Sequence, residues 1–180
     1  MSVSAEVLAL FARHGGDAYF GERVSMREHA LQAAHFARLQ GAPDPLVLAA
    51  LLHDVGHLLE DVPAALEDWT HDARHEEVGA RWLKERFGPE ICEPVRLHVP
   101  AKRYLCAIDP HYFAQLSAAS VHTLALQGGP MSAQEIAGFE AEPQHREAVR
   151  VRHCDDLGKM VGLVTEPLEA YAGLIDRLAR

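Results

Sequence analysis

Leu51-Leu52-His53-Asp54-Val55-Gly56-His57 sets an imidazole and a carboxylate side by side within an otherwise apolar run. Burying an ionised aspartate there costs several kcal/mol, roughly, unless something compensates it. A divalent metal is a natural compensation. His57 lies one turn beyond His53 and shares its face of a helix.

Outward from this stretch, helix punctuation recurs and strand-type alternation is nearly absent. Val3 to His14 reads as a helix stopped by Gly15-Gly16. Ser25 and Glu28 form a capping box, which predicts a helix over Met26–Gln40 before Gly41. Asp44 as N-cap and Pro45 at N1 open the next helix, expected to run unbroken to about Leu59. Asp72 is expected to cap a helix ending near Phe87-Gly88, and Pro89 to open a shorter one that stops before Pro100. Asp109-Pro110 predicts a long helix ending at Gln127-Gly128-Gly129-Pro130. Ser132 and Glu135 form a second capping box, and two more helices are expected over Gln144–Leu157 and Pro167–Leu178. The segments 15–25, 60–71 and 99–109 are left as loops. No repeat or low-complexity stretch interrupts this pattern, so the expectation is one all-α domain over residues 1–180.

Composition narrows the function classes. The 180 residues carry 17 basic and 26 acidic side chains, for a net charge of −9, and 48% hydrophobic content. Such a chain can bury a core. Its charge argues against a sequence-independent grip on nucleic acid, and no basic run suggests a membrane surface. An anionic substrate must then be held by a few placed cations. Met1 to Gly16 has no cationic leader or cleavage site, and the Leu46–Leu59 run is broken by His53, Asp54 and His57. Cys92, Cys106 and Cys154 form no C-x-x-C pair, which fits a reducing cytoplasm and leaves no disulfide framework.

Other candidate ligands are spread along the chain. His29 lies on the helix before the His-Asp pair, His75 begins the helix after it, His98 is expected to end the next, and Asp155 is far downstream. Four His and two Asp exceed the roughly four protein ligands of a mononuclear site. They suit two metals sharing Asp54 as a bridging carboxylate. Asp155, and not Asp156, is chosen because Arg152 precedes it at R-x-x-D spacing on one helical face. Ser120, Thr123 and Gln127 are spaced to share a helix face. His14, His35, His111, His122, His145 and His153 have no such support.

The H…HD…D set of His29, His53-Asp54 and Asp155 resembles the HD-domain superfamily, with a core here at about residues 19–160. Most of its members are phosphohydrolases, and a minority are mixed-valent diiron oxygenases. The stretches YFGERVSMREH, ALLHDVGH, HVPAKRYLC, LSAASVHTLALQGGPMS and RVRHCDD are similar to the minority that cleaves the carbon–phosphorus bond of 1-hydroxyphosphonates.

That resemblance implies a helical bundle holding two irons as Fe(II)/Fe(III), with dioxygen as co-substrate. His29, His53, Asp54 and Asp155 would ligate one iron, and Asp54, His75 and His98 the other. Lys102 and Arg152 would pair with the phosphonate, helped by Ser120, Thr123 and Gln127, since a dianion needs charge-assisted donors. His57 would contact the substrate or orient the site. Tyr19 would cover the iron that receives dioxygen, and Glu22 would meet the substrate's amino end. The implied substrate is a 1-hydroxy-2-(amino or trimethylamino)ethylphosphonate, converted to phosphate and glycine or glycine betaine. Trp69 is a candidate aromatic face for a methylated cation. The alternative is a metal-dependent phosphohydrolase acting on a nucleotide or another phosphomonoester. It needs the same bridged metals and a cation for the phosphate.

Overall fold

The computed structural model describes residues 1–19, 21–59, 70 and 72–180, and Trp69 lies outside them. Eleven α-helices are described. They are α1 (Val3–His14), α2 (Met26–Leu39), α3 (Asp44–Leu52), α4 (Val55–Leu59), α5 (His75–Lys84), α6 (Pro89–Ile108), α7 (Tyr112–Gln115), α8 (Ala118–Leu126), α9 (Ala133–Glu140), α10 (His145–Leu157) and α11 (Ala172–Leu178). A 3-10 turn, Leu168–Tyr171, leads into α11. Among the described residues there is no strand, only an isolated bridge between Ala18 and Ser25. The all-α expectation holds.

Both capping boxes form as the sequence predicts. Ser25 and Ser132 each accept the N3 backbone N–H, while Glu28 and Glu135 reach back to the N-cap backbone. Each box satisfies two donors that a helix start otherwise leaves unpaired.

Four expectations need correction. The helix through the His-Asp pair is not continuous: α3 ends at Leu52 and α4 begins at Val55, with Pro43 as N-cap in place of Asp44. At the break the His57 N–H reaches the Asp54 carbonyl three residues back, so the chain tightens there. The helix opened by Pro89 does not stop before Pro100 but continues to Ile108, so 99–109 is largely helical and not a loop. An interior proline costs about 3 kcal/mol. Burial of Leu97, Val99, Ala101, Lys102 and Leu105 beyond or beside it overrides that local cost. The long helix expected from Asp109 is divided into α7 and α8, because Leu116 is extended and Ser117 caps a new start. Asp72 accepts the Arg74 N–H, but the N-cap of α5 is Arg74 itself, in the left-handed region at φ 51°.

The core explains how the site is placed. Leu48, Leu51, Leu52 and Val55 pack with Leu83, Phe87, Ile91, Val95 and Val151 in one apolar cluster. α10 packs on α6 and α2, α5 on α6 and α4, and α3 on α2 and α6. α2, α4, α5, α6 and α10, with the junction after α3, each turn a buried polar residue toward a common centre. Gly56 and Gly79 let α4 and α5 meet backbone to backbone, since a Cβ on Gly56 would lie 2.0 Å from the His75 carbonyl oxygen. No described helix is long and apolar enough to cross a membrane.

Candidate metal centre and anion pocket

Asp54 has its two carboxylate oxygens turned to different sets of imidazoles. Oδ2 lies 3.4 Å from His29 Nε2 and 3.3 Å from His53 Nε2. Oδ1 lies 3.2 Å from His75 Nε2 and 3.4 Å from His98 Nε2. His29, His53 and Asp54 form one group able to hold a metal, and Asp54, His75 and His98 form a second. Asp155 joins the first, its Oδ1 3.4 Å from His29 Nε2 and 3.8 Å from His53 Nε2. All six side chains are buried. α2 supplies His29, the α3–α4 junction His53 and Asp54, α5 His75, α6 His98 and α10 Asp155.

The ring orientations fit cations. His29 Nδ1 bonds the Gly158 carbonyl at 2.8 Å, His53 Nδ1 that of Ala50 at 2.8 Å, and His98 Nδ1 that of Val95 at 2.7 Å. A carbonyl only accepts, so each Nδ1 carries a proton, and in the neutral ring that a metal ligand requires Nε2 presents its lone pair inward. His29 and His53 then face each other lone pair to lone pair, Nε2 to Nε2 at 3.0 Å. His75 and His98 also meet Nε2 to Nε2, at 3.1 Å. A spacing near 3 Å is the edge of a coordination shell with metal–nitrogen bonds of about 2.1 Å. Asp155 Oδ1 is buried with no hydrogen-bond partner, another atom that a cation would satisfy. The residues present therefore fit two metal ions bridged by Asp54.

Without the ions the charges are held by mutual pairing. Burial opposes the charged form of Asp54, yet His53, His29 and His75 draw its carboxyl well below the usual range. Burial likewise opposes a proton on His53, but Asp54 and Asp155 lift its value to about 9. Burial takes His98 down to about 4, against the pull of Asp54. His57 is also pushed well down by burial and by His75, on whose ring it stacks with centroids 3.8 Å apart. Glu76, beside His75 with Oε2 3.6 Å from Nδ1, is buried, and burial raises its carboxyl.

A cavity opens on this cluster. It is lined by Asp54, His57, His75, His98 and Asp155 of the cluster, by Lys102, Ser120, Thr123, Gln127, Arg152 and Lys159, and by Tyr19 and Glu22. Of the expected site residues among those described, all but His29 and His53 line this cavity.

The two expected cations differ in their engagement. The Arg152 guanidinium bonds Asp155 Oδ2 at 2.6 Å, Tyr112 Oη at 2.9 Å, and both oxygens of Asp156. Its charge is already offset by two carboxylates, and its first effect is to orient Asp155. Lys102 is buried, and its ammonium donates to Thr123 Oγ1 at 2.9 Å. Burial and the nearby Arg152 charge lower its value to about 7. Among the described residues no carboxylate forms an ion pair with it.

Tyr19 stacks on His29 with centroids 3.8 Å apart and donates its hydroxyl to Asp54 Oδ2 at 2.9 Å. Burial and Asp54 hold that phenol well above its ordinary value, so it stays protonated. Glu22 Oε1 and Gln127 Oε1 are buried with no hydrogen-bond partner.

Sequence reasoning missed Tyr112, Lys159, Gly158 and Gln32. The last two work together. Gln32 exchanges two 2.8 Å bonds with the Met160 backbone, which fixes the turn that offers the Gly158 carbonyl to His29. Gly158, one turn past His53's partner Asp155, was legible as a helix stop. No local pattern marks the others.

Residues 26–160 match the HD domain family, and the chain belongs to it. The chain is 44% identical to a [1-hydroxy-2-(trimethylamino)ethyl]phosphonate dioxygenase (glycine-betaine-forming) of Leisingera caerulea, over 94% of its own length and 86% of that protein's. It is 46% identical to a hydroxymethylphosphonate dioxygenase of Gimesia maris, over 87% of its length and 78% of that protein's. An uncharacterized protein, L432, of Acanthamoeba polyphaga mimivirus is 33% identical over 94% of this chain and 78% of its own. The resemblance carried by the sequence motifs is thereby borne out.

Proposed function

We propose that this chain is a dioxygen-dependent diiron oxygenase that cleaves the carbon–phosphorus bond of a 1-hydroxyphosphonate. The observation that carries the reading is the division of Asp54, with one oxygen toward His29 and His53 and the other toward His75 and His98, beside a cavity holding the buried Lys102. The two dioxygenase relatives favour oxidation over phosphomonoester hydrolysis at such a site.

The reaction balances as R–CH(OH)–PO3H2 plus O2 giving R–COOH plus H3PO4. The carbon–phosphorus bond breaks and C1 is oxidised at the expense of dioxygen. For a 1-hydroxy-2-(amino or trimethylamino)ethylphosphonate the organic product is glycine or glycine betaine. The bound irons supply Lewis acidity and the one-electron steps that dioxygen requires. A mixed-valent pair suits ligand sets that differ, because Asp155 adds a second carboxylate on the His29–His53 side only.

The protein's own groups bind and position. Lys102, steadied by Thr123, supplies the principal charge for the phosphonate, with Ser120 and Gln127 as neutral donors on the same wall. Arg152 holds Asp155 in its rotamer and adds its remaining N–H groups. Tyr19 keeps its proton on Asp54 and closes the His29 side of the cavity. Neutral His57 lines the cavity as a hydrogen-bonding group.

The test is oxygen uptake with ferrous iron across a panel of hydroxyphosphonates, with paramagnetic resonance of the iron-loaded protein plus substrate. Uptake with a half-integer-spin iron pair is expected. No uptake with any hydroxyphosphonate, together with anaerobic phosphate release from phosphomonoesters, would replace this reading by hydrolysis.

A further inference from the structure

Lys159 sits immediately after the turn that follows α10, and nothing in the reaction scheme above uses it. Its ammonium lies 3.0 Å from Ser120 Oγ and 3.3 Å from Ser117 Oγ, at the N-terminus of α8. On its other side it lies 3.5 Å from Glu22 Oε1, the carboxylate oxygen that has no hydrogen-bond partner. It also stands 6.0 Å above the centre of the Tyr19 ring. The ammonium thus lies between the start of α8 and the side chains of Tyr19 and Glu22. Its backbone is held in place from behind, because Gln32 grips the next residue, Met160, through two bonds.

Glu22 and Lys159 together make a half-buried charge pair inside a cavity that must also take a dianion. A bare carboxylate there would attract a cationic nitrogen on the substrate and repel a phosphonate that lacks one. Paired with an ammonium, the same carboxylate presents much less net charge to either. Resting on the hydroxyphosphonate reading, we propose that Lys159 sets substrate selectivity by masking Glu22, so that phosphonates with and without a cationic nitrogen compete on nearly equal terms.

The consequence separates charge from scaffold. Removing Lys159 takes one cation from both substrates' phosphonate groups, and that loss cancels in the ratio of their kcat/KM values. Unmasking Glu22 helps only the substrate with a cationic nitrogen. The Lys159→Met and Lys159→Gln variants of the iron-loaded enzyme are compared with wild type on [1-hydroxy-2-(trimethylamino)ethyl]phosphonate and hydroxymethylphosphonate. The ratio of the two kcat/KM values is expected to move about fivefold toward the trimethylamino substrate, the upper end for a charge pair of this exposure. Lys159→Arg is expected to leave the ratio near that of wild type. In a Glu22→Gln background the shift is expected to shrink to within about twofold.

Equal losses on both substrates would overturn the proposal, since a structural role alone does that. A full shift that persists without Glu22 would also overturn it, in favour of direct repulsion by the ammonium. Dissociation constants for the same two phosphonates, measured anaerobically, give the ratio without turnover. If binding selectivity shifts but no oxygen is consumed, the oxygenase reading fails and the role of Lys159 stands. If turnover is normal and neither ratio moves, the reverse holds.

Discussion

Replacing Gly56 by alanine tests how the site is assembled, because here two physical effects of one methyl group oppose each other. Gly56 lies within α4, and alanine in place of a helical glycine gains about 1 kcal/mol in propensity. The added Cβ, however, would stand 2.0 Å from the His75 carbonyl oxygen, 2.8 Å from its carbonyl carbon and 3.0 Å from the Gly79 nitrogen. All three are backbone atoms, so no side-chain rotation relieves the contact. To restore ordinary contact at 3.4 Å the His75 carbonyl must retreat by about 1.4 Å. Metal–ligand distances tolerate only about 0.2 Å.

Overpacking of this kind costs roughly 1–3 kcal/mol, which overcomes the propensity gain, and displacement of His75 removes metal binding energy on top. Gly56→Ala is expected to melt lower by several degrees, at about 2–4 °C per kcal/mol for a chain of this size. It should also retain the metal of the His29 group while losing most of that held by His75 and His98. Thermal melts and metal content per chain read both effects. Gly138 in α9 is the control, since nothing lies within 4 Å of its Cβ position, and Gly138→Ala should be neutral or gain about 0.4–1 kcal/mol. A Gly56→Ala protein that melts no lower than wild type and keeps its full metal complement would refute the idea that this backbone contact seats His75.

Lys102, with its value lowered to about 7, must be protonated to hold an anion, so phosphonate binding should weaken as pH rises between about 7 and 9. The stability sign is the reverse. A lysine depressed on folding costs stability while protonated, and that cost is relieved as pH rises from about 7 toward its ordinary 10.5. Lys102→Met should flatten the binding profile, and a flat wild-type profile in calorimetry would count against this role. Tyr112→Phe removes the hydroxyl that accepts from Arg152 Nε and donates to Asp156. Metal affinity on the Asp155 side should fall about 10-fold or more while the His75–His98 side is spared, as titration with ferrous iron would show. Chelation should lower the melting temperature by roughly 15–30 °C, because two ions bound at about a thousand times their dissociation constants each add about 4 kcal/mol. An unchanged melt after verified metal removal would mean that the buried imidazoles and carboxylates support one another unaided.

The gathering of His29, His53, Asp54, His75, His98 and Asp155 was legible in part from the chain's own pattern and in part from its resemblance to the HD-domain superfamily. His75 begins a helix, Asp155 follows Arg152 by one turn, and the His-Asp pair interrupts an apolar run. The capping boxes at Ser25 and Ser132 were legible because each is settled within four residues. The course of α6 was not. Pro100 obeys a local rule that ends helices, and only the packing of Leu97, Ala101 and Leu105 against neighbours distant in sequence reverses it.

Lys102 and Arg152 mark the limit more sharply. From sequence they are two cations suited to one dianion, and nothing local distinguishes them. In the fold, α10 gives Arg152 two carboxylates within its own next turn, Asp155 and Asp156, and α7 adds the Tyr112 hydroxyl, so most of its donors are committed before any ligand arrives. Among the described residues Lys102 on α6 has only the Thr123 hydroxyl, and burial has already weakened its hold on a proton. A dianion entering the cavity would restore that charge, whereas it could add little to Arg152. On the proposed function, substrate charge would be read mainly by Lys102, while Arg152 keeps Asp155 in place beside His29 and His53. This division of labour arises from which carboxylates the helices bring near each cation, a tertiary fact that spacing along the chain does not encode.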